Sequence, residues 1–181
     1  MIPFLVAAVI VTAIAAIFDL KTGQIPNWLT LPVLVLAPIA HAVVASARGL
    51  TTDEVAWEGG ISVAGAMLTA LVPLLLYRQN AIGGGDLKLL AALGALCQPS
   101  LGLELEMYGF LVAVVVAPAK LAYDGKLFKT FKNTFFIAMN AVTPKEKRRE
   151  VEAEAMSWFR LGPCIFIGTV VTAAFHWGSK P

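Results

Sequence analysis

Gly83-Gly84-Gly85-Asp86-Leu87-Lys88-Leu89-Leu90 is the stretch whose reading decides the fold. Three glycines lead into a carboxylate, and an apolar run over residues 87–97 follows at once. A carboxylate beside hydrocarbon costs roughly 2.5–3.5 kcal/mol at a helix centre, and chains keep one mostly where a path, a counter-ion or a reaction needs it. The run is short. At about 1.5 Å per residue it reaches about 17 Å, little more than half of a bilayer core of about 30 Å. It must begin inside the membrane or be sheltered by other helices. Irregular backbone at that depth is tolerated only under a cover of protein or beside a water-filled cavity. The glycines therefore place Asp86 in a polar recess.

Outward from this segment lie further apolar runs at residues 3–18, 26–47, 57–77, 107–123 and 162–177, of the length that marks spanning helices. The chain is 58% hydrophobic and 14% charged, against about 45–50% apolar and about 25% charged for a soluble domain. These numbers predict an all-α, polytopic membrane helix bundle. It has about six transmembrane helices, the fourth short or re-entrant, in a single domain over residues 1–181. The N-terminus lacks the basic start of a secretory signal, so the first run is expected to be retained as a helix. The net charge of +2 says little about partners, and no nucleic-acid partner is expected. Cys97 and Cys164 form no CxxC pair and read as apolar packing residues. His41 and His176 stand far apart, and no metal or cofactor is expected.

Orientation follows from Lys and Arg. With the N- and C-termini outside, the inner segments hold Lys21, Arg78, Lys88 and the nine cations from Lys120 to Arg160, whereas only Arg48 and Lys180 fall outside. Asp53, Glu54, Glu58, Glu104 and Glu106 also fall outside. Asp19, at the edge of the first run, then shares the cytoplasmic side with Asp86. The long segment over residues 124–160 reads as an amphipathic cytoplasmic hairpin. Residues 127–142 set Phe128, Phe131, Phe135 and Phe136 beside lysines, a pattern suited to anionic lipid. A charged helix follows, with Thr143 as its cap and Pro144 at its first position.

Two carboxylates near the apolar core on one side of the membrane permit hydrolysis. An ionised aspartate takes a proton from water while a protonated one polarises the scissile carbonyl. The glycines before Asp86 let a peptide backbone approach closely. Lys88 stands about 200° around the helix from Asp86, so it is expected to reach headgroups or a substrate acid. Asp19 is followed by a tight turn in which Pro26 starts the second helix, with Asn27 next. Each aspartate also has a structural reading. Asp86 suits the N-terminal cap of the fourth helix, and Asp19 suits an interfacial helix end.

Asp19 followed by Ile25-Pro26-Asn27, then Gly83-Gly84-Gly85-Asp86-Leu87-Lys88, resembles the type IV prepilin peptidases, GxGD-type intramembrane aspartic peptidases. Leu161-Gly162-Pro163-Cys164-Ile165 adds a weaker likeness. The resemblance implies that Asp19 and Asp86 are the catalytic pair, with Gly83, Gly85, Lys88, Pro26 and Asn27 in support. It implies an aspartic endopeptidase of the cytoplasmic membrane that removes the basic leader of a prepilin or pseudopilin at the cytoplasmic face. Membrane lipids and that substrate are the expected partners, and the oligomeric state stays open. Long members of the family carry two CxxC pairs and also methylate the new N-terminus. This chain has no CxxC and resembles the short form associated with Flp/Tad-type pili, so methylation is not expected. Presenilin-like proteases pair their GxGD with Tyr-Asp, whereas Phe18 precedes Asp19 here. A proton-coupled transporter or channel subunit using both aspartates as a relay is the competing reading, and a non-catalytic scaffold the third. The transporter reading expects paired broken helices in an inverted repeat, and the sequence offers a single broken region at residues 83–86.

Overall fold

A computed structural model of the chain describes residues 2–79, 81–123, 125 and 160–177. Among them are five helices and no strand: α1 (Ile2–Thr22), α2 (Asn27–Ala47), α3 (Thr52–Arg78), α4 (Gly84–Tyr123) and α5 (Gly162–His176). The first four are long and apolar enough to cross a membrane. Most of the amphipathic hairpin expected over residues 124–160, including its lipid-facing phenylalanines and the Thr143 cap, lies outside the described residues. The chain divides into two compact units, Met1–Ala113 with Arg160–Pro181, and Val114–Phe159. Of the second, the described residues are 114–123, the last part of α4, and Gly125.

The chemistry of the connections sets the helix ends. Gly23 follows α1 with φ 70°, and its N–H donates to the Asp19 carbonyl at 2.9 Å. This is a left-handed cap that glycine adopts without a Cβ penalty. Pro26 was expected inside the first turn of α2; it stands one residue earlier, as the N-cap, with φ −71° and ψ 140°. Its extended ψ ends the linker, and its carbonyl accepts the Leu29 N–H at 3.1 Å. At the other end, Thr51 and Glu54 form a reciprocal capping box that starts α3.

The short fourth run is real as a separate arm. Helix α4 breaks at Gln98, which has φ 61° and ψ 174°. Pro99 supplies the reason, because a residue before proline is pushed out of the helical region. Residues 98–106 were expected as an outer connection. Instead the chain turns at Gln98 alone, and the helix resumes at once, with Glu106 buried along it. A positive φ at a non-glycine costs of order 1–3 kcal/mol and persists only when its surroundings hold it. Here the Gln98 amide donates to the Glu58 carboxylate at 2.8 Å and meets His41 Nδ1 at 3.3 Å. His41 Nε2 in turn bonds the Leu96 carbonyl at 3.0 Å, and its ring stacks on Phe4 at 3.8 Å.

The helices meet through small and hydroxyl residues, as membrane helices do when no hydrophobic force draws them together. α1 packs on α5, and α2 on α3. α3 crosses the first arm of α4 where Gly65 faces Gly94, and any Cβ there would strike backbone. Ser62 and Thr69 donate to the Ala95 and Leu90 carbonyls at 2.6 and 3.0 Å. Past the break, Gly109 meets Gly168 of α5 backbone to backbone. Exposed aromatic residues sit at helix ends: Trp28 and Tyr77 where α2 starts and α3 ends, Trp57 and Trp177 at the opposite ends of α3 and α5. Amphipathic rings favour the two membrane–water interfaces.

Candidate active site

One end of the first unit gathers the end of α1, the starts of α2, α4 and α5, and the end of α3. Glycine makes this possible. A β-carbon on Gly85 would lie 3.1 Å from Ile25 Cβ and 3.3 Å from its nitrogen, so the turn between α1 and α2 rests directly on the start of α4. Gly84 faces the Tyr77 ring with a similar clearance of 3.4 Å. Lys88 Nζ donates to Asn27 Oδ1 at 2.9 Å and ties the same two elements side chain to side chain. The expectation that Lys88 reaches headgroups or a substrate acid is thus met by a nearer acceptor. The lysine stem is long enough to return to the Asn27 amide at the first residue of α2.

Asp86 occupies the first turn of α4 and is 9% exposed. Its Oδ2 accepts the Gly83 N–H at 3.2 Å. A third-position carboxylate reaching back to the N-cap amide satisfies one donor that the helix start leaves free. Asp86 was expected as the N-cap itself; the helix instead starts at Gly84, and Asp86 caps from within its first turn, using one oxygen. The other, Oδ1, is buried with no hydrogen-bond partner among the described residues. A buried acceptor left open is costly, about 1–3 kcal/mol, and more for a charged group.

Asp19 lies in the last turn of α1 and is 5% exposed. Its Oδ2 accepts the backbone N–H of Gly162, the first residue of α5, at 2.9 Å. The Arg160 guanidinium donates to the carbonyl of Leu20, the next residue along α1, and its cation acts on the Asp19 carboxylate. The charge on Asp19 in turn acts on Asp86. Two carboxyl groups from residues distant in sequence thus share one buried region.

Of the residues singled out in the sequence, Asp19, Asp86, Gly83, Gly85, Lys88, Pro26 and Asn27 all fall within this cluster or on the elements that build it. Gly162 was missed as a contact of Asp19. Its signal was the Gly-Pro pair before the last apolar run, noted for likeness and not for what it touches. Cys97 and Cys164 are both buried. Among the described residues no group of three or more His, Cys, Asp or Glu is placed to hold a metal.

Buried carboxyl groups gather at one end of a bundle of long apolar helices, which define a multi-pass membrane protein. The particular family comes from comparison with known proteins. Residues 6–118 match the model of the type IV leader peptidase family, and the chain belongs to that family. It is also 31% identical over 101 residues to the prepilin leader peptidase/N-methyltransferase of Vibrio cholerae. That match takes in 56% of this chain but 37% of the relative's length. No solved structure matches the chain.

Proposed function

We propose that the protein is an aspartic endopeptidase that removes the leader of prepilin-like or pseudopilin substrates, with Asp19 and Asp86 as its dyad. The observation that carries this reading is the open Asp86 Oδ1, buried within electrostatic reach of a second carboxylate in a chain of the leader peptidase family. A close carboxylate pair shares a proton, because like charges cannot both persist side by side. The ionised partner takes a proton from the attacking water, and the protonated partner polarises the scissile carbonyl and later protonates the leaving amine. A water between the two groups gives Asp86 Oδ1 the partner that the protein does not. The lysine-rich segments that the sequence places inside put this chemistry at the cytoplasmic face of an inner membrane, where a basic leader lies against anionic headgroups. The proposal concerns leader removal and does not extend to methyl transfer.

Co-expression with a candidate prepilin tests the proposal, read as a size shift on a gel. Asp19→Asn and Asp86→Asn each replace a carboxylate by a nearly isosteric amide. Each is expected to abolish the shift while the protein stays inserted and folded. Near-normal cleavage by either variant sinks the dyad.

A further inference from the structure

We infer that Gly162 is a positioning residue for Asp19, and that the entry of α5 is a third structural component of the proposed dyad. The inference rests on the peptidase reading above and deepens it. The first four N–H groups of a helix have no partner within it. In α5 the first turn disposes of them unequally. Pro163 has no N–H. That of Cys164 turns inward to the Leu161 carbonyl at 2.9 Å, which also takes the first regular helical bond, from Ile165 at 3.0 Å. Gly162, at the first helical position, keeps its donor for another element, and it points at Asp19 Oδ2 at 2.9 Å. It does so with the positive end of the helix behind it.

The same residue must also lack a side chain. A β-carbon on Gly162 would lie 2.9 Å from Asp19 Oδ2, 3.0 Å from its Cβ and 3.3 Å from its Cγ. All three atoms belong to the one side chain whose placement matters, and Asp19 is fixed to the last turn of α1. Arg160 adds a second hold on the same turn through the Leu20 carbonyl. A backbone N–H is a donor that suits a carboxylate, and the Arg160 cation lies within electrostatic reach of it. The arrangement makes Asp19 the oriented partner, and leaves Asp86, with its open oxygen, to meet water and substrate.

The test compares two glycines of α5 in the full-length protein, with leader cleavage of a prepilin followed at varied substrate concentration. Gly162→Ala pushes on Asp19. A misplacement of about 1 Å costs on the order of 10²-fold in rate, so kcat is expected to fall about 10²-fold with KM within about twofold. Gly168→Ala drives a methyl into Gly109 and the Leu105 carbonyl, 2.9 Å from the latter. It is expected to lower the melting temperature while kcat per folded molecule holds. Equal kcat per folded molecule in the two variants overturns the inference. Should Gly162→Ala fail to fold, Arg160→Ala carries the test, since it frees the same turn without adding volume. A five- to tenfold loss of kcat at unchanged KM supports the inference, and wild-type kcat overturns it. Asp19→Asn separates the two claims. If it is inactive while Gly162→Ala cleaves normally, the positioning role alone fails. If Asp19→Asn itself cleaves normally, the peptidase reading fails and takes the positioning role with it.

Discussion

The two ends of the first unit both bury polar side chains, and they treat them in opposite ways. At one end His41, Gln98 and Glu58 form a chain in which each side chain finds a neighbour, ending on the Leu96 carbonyl that the helix break leaves free. At the other end Asp86 keeps Oδ1 without a partner among the described residues, within electrostatic reach of Asp19. A closed network holds a shape, here the strained backbone of Gln98. An acceptor without such a partner, within electrostatic reach of a second carboxylate, plays no such part in holding the backbone. A second carboxylate close by, more than burial or an open acceptor alone, is what the proposed site has and the scaffold lacks.

The sharpest way to break this comparison is to exchange oxygen for nitrogen at both ends. Asp86→Asn is expected to cut leader cleavage by 10²–10⁴-fold, the range that acid–base groups contribute, with a melting temperature close to that of the parent. Glu58→Gln is expected to do the reverse, with normal cleavage and a lower melting temperature. A cleavage-dead Glu58→Gln that remains folded erases the distinction. Next in size is His41→Ala. It removes a ring stacked on Phe4 and the bond to Leu96, a loss of about 2–4 kcal/mol by analogy with other buried deletions. Thermal unfolding in detergent reads the loss, and cleavage per folded molecule should stay within about twofold.

Lys88→Met probes the tie between the two elements that carry the carboxylates. The bond to Asn27 is exposed and worth about 0.5–1.5 kcal/mol, so stability should barely change while kcat falls several-fold. A double-mutant cycle with Asn27→Ala measures the coupling. No coupling, with kcat intact, returns Lys88 to the solvated surface. The smallest effect is expected at Glu106, whose two oxygens are buried without a hydrogen-bond partner among the described residues. If an open acceptor alone marks function, Glu106→Gln costs activity. If function needs two facing carboxylates, cleavage stays within about twofold, which is the outcome expected here.

How much of this was legible in the sequence depends on range. Carboxylates at the edges of apolar runs named Asp19 and Asp86, because few forces other than function keep charge there. Gly23 and Pro26 announced the turn between α1 and α2 through local backbone chemistry. Pro99 carried the signal for the break at Gln98, yet the acids at 104 and 106 drew the reading toward an outer loop. The burial of Glu106 was hidden because it follows from the crossing of α4 and α5 at Gly109 and Gly168, a fact of packing and not of composition. Lys88 returning to Asn27, and Gly162 reaching Asp19, are contacts between segments far apart in the chain. No periodicity records them.

The amide that holds the Asp19 carboxylate comes 143 positions after it in the chain. A ribosome working at about 5–20 residues per second needs several seconds to cover that interval, and α5 must then still enter the membrane. Throughout that time the acidic pair lacks one of its walls. A nascent chain, or one cut short before residue 162, exposes two carboxylates without the geometry to use them. Placing this contact in α5 makes the entry of that helix the step that closes the region around Asp19.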